Sequence, residues 1–325
     1  MRPKVSLCMI LRDSEATIRA ALDSARGLYD ELVVVMDSRS TDATERIVRE
    51  EYGAKVETRD WLGFAEMRNE SLRIARNKWC LILDGDEEII DRGNIVDALA
   101  VAEEKGIDAV FVTIRSESKD HERFEVDRQM RFIDRSRVRY RFAVHNQPRG
   151  YRENRLGISD LVIRADYTGD MTSRVTRSEP PLLDMLKMSA LGSEEWTHAR
   201  FFLCRLYGMV NRYDEAIEHA RALLDVRPAD LGFCGAWLVL IRCVLARDGP
   251  EKGLAVILEC VRHHPKGFAD PWWWLMRVSV FNCAKSWQEP GPYILSPQVS
   301  HQYLDKFPEA GTLLGFQFRT VEAAA

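Results

Sequence analysis

No two cysteines in this 325-residue chain stand in a Cys-x-x-Cys pair, which removes the zinc ribbon and the thioredoxin-like redox motif. The seven cysteines are scattered through apolar segments, and their odd number fits small core residues in a reducing compartment. No apolar run approaches the eighteen or so residues of a membrane span. The run Val5–Leu11 behind the basic N-terminus is too short for a signal-peptide core and stops on Arg12-Asp13. A cytoplasmic protein without a transmembrane segment is therefore expected. Neither sign of charge dominates: the net charge is −4, so nothing pulls the chain toward nucleic acid or an anionic membrane. Two phosphate-binding glycine motifs are missing as well. Leu11-Arg12-Asp13-Ser14, after the first apolar strand, holds no glycine, so the GxGxxG of a dinucleotide fold is absent. No GxxxxGK[ST] occurs anywhere, which excludes a P-loop.

What the chain does have is an apolar run that ends on acid. Trp79-Cys80-Leu81-Ile82-Leu83 suits a strand buried on both faces of a parallel sheet. Asp84, Asp86, Glu87 and Glu88 follow, with Gly85 between the first two. Carboxylate oxygens are the ligands of hard divalent ions such as Mg²⁺ and Mn²⁺. Open α/β sheets bind ligands beyond the carboxyl ends of their strands, where this cluster falls. A metal-diphosphate site is the functional reading. The plainer one is an acidic turn leading into a helix, with Glu87, Glu88 and Asp91 offsetting the helix dipole.

Around that stretch the pattern alternates. Val5–Leu11, Leu32–Met36, Lys55–Glu57 and Trp79–Leu83 read as strands. Helices of 3.6-residue periodicity separate them, the last over Gly63–Arg76. Strand and helix in strict turn predict a parallel sheet with right-handed crossovers. Ile107–Ile114 is a fifth strand, and Gln129–Ile133 with Val138–Phe142 reads as a hairpin. Nine arginines lie between Arg128 and Arg155. Most belong to a solvated face, with one or two turned to the site.

Several segments, taken together, resemble family 2 glycosyltransferases of the GT-A fold. They are Ser6–Asp13, Val35–Asp42, Trp61, Phe64-Ala65, Arg68-Asn69, Trp79–Glu87 and Arg131-Phe132 through Val144-His145. The nearest branch is the bacterial and phage one that carries a C-terminal TPR region. The resemblance covers roughly the first 150 residues and implies a nucleotide-diphospho-sugar transferase: a Rossmann-like, mostly parallel α/β sheet followed by an all-α domain. It implies a nucleotide-sugar site formed by Leu11, Arg12, Asp37, Arg68, Asn69 and Asp84, with Asp37 on the uracil or other base. It implies a Mn²⁺ or Mg²⁺ ion near Asp84, Asp86 and His145, a UDP-sugar donor, and inversion at the anomeric carbon. Asp120, Glu122 and Asp127 are the general-base candidates by position, with Glu117 beside them. Three departures bear on the acceptor side: Arg39 for the usual glycine, Asn146 for the usual Glu, and no histidine in Val162–Gly169.

From about Pro180 the strand pattern stops. Leu203, Tyr207-Gly208, Tyr213, Ala216, Ala220 and Pro228 fit the TPR spacing, and Trp237, Val244, Gly253, Ile257 and Pro265 fit a looser second copy. Trp272-Trp273-Trp274 opens a third unit or a cap. The expected domains are 1–175, catalytic, and 176–325, helical with a tail. Stacked helix pairs offer a groove for a glycan, glycolipid or peptide acceptor, a protein partner or a second copy. The competing function is an inactive transferase domain serving with the helices as a scaffold. A sugar nucleotidyltransferase would need a glycine- and lysine-rich loop after the first strand, which is not there.

Overall fold

The computed structural model describes residues 2–117, 124–166, 171–228 and 234–263. The chain divides into two compact units, Met1–Asp170 and Met171–Ala325.

The first unit begins with four parallel strands: β1 (Val5–Leu11), β2 (Glu31–Asp37), β3 (Lys55–Arg59) and β4 (Trp79–Ile82). Helices α1 (Ile18–Ser24), α2 (Thr44–Glu50) and α3 (Phe64–Ile74) join them. The chain continues through β5 (Glu87–Asp91), α4 (Ile95–Lys105), β6 (Ala109–Glu117), β7 (Phe124–Asp134), the short β8 (Arg139–Arg141) and β9 (Gln147–Arg149), and β10 (Leu156–Asp166). Eight strands form one sheet in the order β3-β2-β1-β4-β7-β6-β10-β5, and β8 pairs with β9 apart from it.

The continuous apolar strands are explained by cover on both faces. Leu7, Met9, Val34 and Met36 pack with Leu22 of α1, Ile47 of α2 and Leu99 of α4. Cys8, Val33, Val35 and Ile82 face the other way, onto Met67 and Leu72 of α3. Both layers exclude water, so alternation is lost.

Two expectations are corrected. The segment after Asp86 is no helix start. Glu87 and Ile89 point inward on β5, which runs antiparallel to β10, and Ile90 is exposed. Residues 129–142 are not a local hairpin either. β7 lies between β4 and β6 and is antiparallel to both, while β8 turns back onto β9. The sheet is thus mostly but not wholly parallel.

The second unit is helical: α5 (Met171–Met188), α6 (Glu194–Met209), α7 (Tyr213–Val226), α8 (Cys234–Asp248) and α9 (Pro250–His263). Ser193 caps α6 by accepting from the Trp196 N–H, with Glu194 and Glu195 in the first turn favouring the helix dipole. Leu223, Leu224, Trp237, Leu240 and Cys204 form its core. Glycine is needed at 253: a Cβ there would fall 2.2 Å from Leu245 Cδ2, so α8 and α9 could not approach as they do. Pro265 and Trp272–Trp274 lie outside the described residues. Among the described residues no helix is long and apolar enough to cross a membrane.

A polar network sits beside this core. Glu179 accepts from Tyr207 Oη and Arg212 Nη1, each at 2.8 Å, and the Arg212 guanidinium stacks 4.1 Å from the Tyr207 ring centre. Arg200 Nη1 lies 3.0 Å from His219 Nδ1. Burial, reinforced by Arg200, pushes His219 down to about 4. The folded value lies below that of the unfolded chain, so the contribution is complete above about pH 6.5 and is lost as pH falls from there toward 4. With solvent screening allowed for, about 1–2 kcal/mol is at stake. Urea midpoints compared between pH 7 and pH 4 are expected to fall less for His219→Gln than for the parent. Equal slopes would mean that His219 charges freely in the folded unit.

Candidate active site

The carboxyl edge of the four parallel strands is built by three loops. Asp13 lies in the first, with φ +45°. Its Oδ1 accepts from the Thr41 N–H at 2.7 Å, while the Ser14 N–H reaches Thr44 Oγ1 and the Glu15 N–H reaches Asp42 Oδ2. The capping residues after β2 therefore knit the β1–α1 and β2–α2 loops together. The third loop, Leu83 to Asp86, is pressed onto the first. A Cβ on Gly85 would sit 2.7 Å from Leu11 Cδ2 and 3.0 Å from Ser14 Oγ. Glycine between the two aspartates is thus a packing requirement.

Under this turn lies a quartet of charges. Asp84 Oδ1 accepts from Arg68 Nη2 at 2.7 Å, and Arg131 Nη1 stands 4.0 Å from Asp84 Oδ2. Arg131 Nη2 donates to Glu87 Oε1 at 2.5 Å, and Glu87 Oε2 accepts the backbone N–H of Asp84 at 2.9 Å. Two guanidinium groups balance two carboxylates. Arg68, Arg131 and Glu87 are buried, and Asp84 is half-exposed. Burial raises Asp84, but Arg68 and Arg131 together outweigh it and hold the carboxyl below its usual range. Burial dominates at Glu87 and raises it. Arg131 Nε is buried with no hydrogen-bond partner among the described residues. Asp86 is exposed on the turn that this quartet fixes.

The residues named from sequence divide accordingly. Arg68 and Asp84 meet directly. Asn69 is spent on the backbone: Nδ2 donates to the Tyr140 carbonyl and Oδ1 accepts the Tyr140 N–H, both at 2.8 Å, clamping β8 to α3. Leu11 is buried against Gly85, and Arg12 is exposed beside Asp13. His145 is exposed, with φ +50°, in the loop from β8 to β9. That loop docks on the start of α3, where the Phe64 N–H donates to the Ala143 carbonyl and a Cβ on Gly63 would meet Ala143 Cβ at 2.9 Å. Because α3 starts just past the carboxyl end of β3, His145 is carried on the same edge. Asn146 Nδ2 is buried without a hydrogen-bond partner among the described residues. Asp127 is exposed on β7, and Asp120 and Glu122 lie outside the described residues.

Asp37, the residue expected on the base, has its partner in its own loop. It is buried, and both oxygens are taken by Arg39: Nε to Oδ1 at 2.9 Å and Nη2 to Oδ2 at 2.6 Å. The Arg39 N–H adds a third bond to Oδ1 at 3.0 Å. These contacts hold the Asp37 carboxyl below the usual range.

The donor set suits a divalent ion only in a particular way. Among the described residues no three His, Cys, Asp or Glu side chains converge into a metal cage. Asp84 is already neutralised, and Asp86 offers an exposed carboxylate. Such a site fits an ion bound by one or two carboxylates and completed by substrate phosphates, the common arrangement for Mg²⁺.

Sequence comparison agrees with this architecture. Residues 6–162 match the model of glycosyl transferase family 2, nearly all of the first unit. That match spans just under half of the chain, and within it the first unit is similar to this family. An uncharacterized glycosyltransferase of Rickettsia bellii is 40% identical over 86 residues, 26% of this chain and 29% of the relative. A TPR repeat-containing protein of Synechococcus elongatus is 42% identical over 88 residues, 27% of this chain and 21% of that one. These matches span less than a third of either relative's length. Among solved structures, the mannosyltransferase PcManGT of Pyrobaculum calidifontis, in complex with GDP-Man and Mn²⁺, aligns over 89% of both chains with 17% identity and TM-score 0.44. S. aureus TarS 1-349 in complex with UDP aligns over 90% of this chain and 94% of that one with 15% identity and TM-score 0.40.

Proposed function

We propose that the protein is a metal-dependent, inverting glycosyltransferase that takes a sugar from a nucleotide-sugar donor. The family match supports sugar transfer. The observation that carries the reading is the Asp84-Gly85-Asp86 turn, locked at the carboxyl edge by a charge-balanced quartet that leaves Asp86 exposed. Asp86 would hold Mn²⁺ or Mg²⁺, with Asp84 and His145 beside it. When bound, the ion would offset the charge that develops on the departing diphosphate. Arg68 and Arg131 act as positioning groups for Asp84. A carboxylate would deprotonate the acceptor hydroxyl as it attacks. Asp127 stands on a solvated strand face for that task, and Asp120 and Glu122 are its competitors.

The helical unit has the TPR spacing. It would serve as the platform for a glycan, glycolipid or peptide acceptor, for a protein partner, or for self-association. The resemblance implies uridine as the donor base, with Asp37 as its partner. The Arg39 clasp on Asp37 is the specific observation behind the second reading, a domain that no longer turns over and acts as a scaffold.

Melting of the full chain with nucleoside diphosphates and Mn²⁺ or Mg²⁺, with and without chelator, tests the donor site, and hydrolysis or transfer of the sugar from a bound donor then separates an active enzyme from a scaffold. A ligand that binds only the native state raises the melting point by mass action. A shift that chelator removes is expected. No shift with any nucleotide would shift the weight to the scaffold.

A further inference from the structure

We propose that Arg39, held by Asp37, is the residue that reads the donor's base, and that it selects a base presenting two adjacent hydrogen-bond acceptors. The inference rests on the nucleotide-sugar reading and deepens it.

The position follows from the sheet. The ion and diphosphate belong at the end of β4. In the order β3-β2-β1-β4, the end of β2 is two strands away, or about 10 Å at ordinary strand spacing. One ribose bridges such a gap, which puts the base at the ends of β2 and β3. On the other side of β4 stands β7, which is antiparallel and shows its amino end to this edge. The ends of β2 and β3 also hold the aromatic surface a base would use. The Arg39 guanidinium lies 5.8 Å from the Trp61 ring centre, and Trp61 meets Phe64 edge-on at 4.8 Å. Ser38 Oγ donates to Asp60 Oδ1 at 2.7 Å, which ties the two loops together.

The chemistry follows from which hydrogens are spent. Asp37 takes the Nε–H and one Nη2–H. The Nη1 group and the second Nη2–H remain, and Nη1 meets no partner among the described residues. Arg39 is half-exposed while Asp37 is buried. A buried carboxylate thus aims a guanidinium fork outward. A bare Asp37 would have offered acceptors and suited the N3–H of uracil. The clasped pair offers donors. Guanine shows O6 beside N7, and cytosine shows O2 beside N3; each accepts a fork. Uracil places N3–H between its two carbonyls, and adenine sets an amino group beside each ring acceptor on its exposed edge. Neither matches two parallel donors.

The test is titration of the full chain with GDP, CDP, UDP and ADP in the presence of Mn²⁺, for the parent, Arg39→Gly and Arg39→Lys. In the parent, GDP or CDP is expected to bind at least about tenfold more tightly than UDP and ADP, within the range of one bidentate contact. Comparison of GDP with CDP names the base. Arg39→Gly should abolish that preference and raise the relative affinity of UDP, because Asp37 is released as an acceptor. Arg39→Lys should keep the charge and lose the preference, since an ammonium has no fork. A uniform fall for all four nucleotides, with the ranking unchanged, would make Arg39 a phosphate contact and overturn the proposal. So would a parent that prefers UDP. Failure of every diphosphate to bind the parent is a different result: it removes the nucleotide-sugar reading and this proposal with it.

Discussion

Replacing Asp86 by alanine is expected to abolish chelator-sensitive stabilisation by nucleoside diphosphates while leaving the melting point of the free protein nearly unchanged. Asp86 is exposed on the turn, and truncation of an exposed side chain usually costs no more than about 0.5 kcal/mol. The ligand-linked effect is larger. A diphosphate at a hundred times its dissociation constant stabilises by about 2.7 kcal/mol, and that increment vanishes if the ion has lost its carboxylate. Asp84→Asn is the contrasting variant. It removes the anion that Arg68 and Arg131 share, so it should lower the stability of the free protein as well. An Asp86→Ala protein that binds diphosphate and Mn²⁺ as the parent does would place the metal elsewhere.

The parallel half of the sheet was legible because burial on two faces leaves a plain mark. Val5–Leu11 and Leu32–Met36 are too uniformly apolar for a surface helix and too short for a buried one. β5 left no such mark. Glu87 and Glu88 are the residues that open a helix in most sequences, and only the pairing with β10 gives them strand geometry. β7 pairs away from the expected hairpin for a related reason. Its partners β4 and β6 are distant in sequence, whereas the neighbouring Val138–Phe142 offered a local hairpin. Periodicity reports burial, not the identity of the partner.

The site was readable at the level of residue type and less so at the level of contact. Asp84 and Asp86 stand out as candidates because acid follows an apolar strand. Glu87 and Arg131 carry no such mark, yet they hold the turn. A signal was available for Glu87, since an inward acid two residues before the buried Ile89 requires a buried cation. Asn69, a nucleotide candidate by sequence, has both ends of its amide on Tyr140, a contact that spacing does not show. The Arg39–Asp37 clasp depends on a turn that brings positions two apart face to face, and sequence spacing alone does not show that turn.

Arg131→Met is expected to cost about 3–5 kcal/mol, because it strands a carboxylate that folding has already buried. Glu87 lies 4% exposed, and its raised value shows that burial outweighs even its present partners. Without Arg131 it rises further. A carboxyl whose folded value exceeds its unfolded one contributes fully below the unfolded value and loses that contribution as pH rises through the folded one. The variant's deficit in urea should therefore be larger at pH 8 than at pH 5. Arg131→Met/Glu87→Gln restores charge balance between the remaining Arg68 and Asp84. Its amide oxygen still accepts the Asp84 N–H, so the double variant should recover more than half of the loss. The cycle isolates the pair because the two side chains touch directly. A single variant that loses less than about 1 kcal/mol, with no pH dependence, would mean that water reaches Glu87 in Arg131's place. The aspartate turn would then be held by Gly85 packing on Leu11 and Ser14, and not by charge.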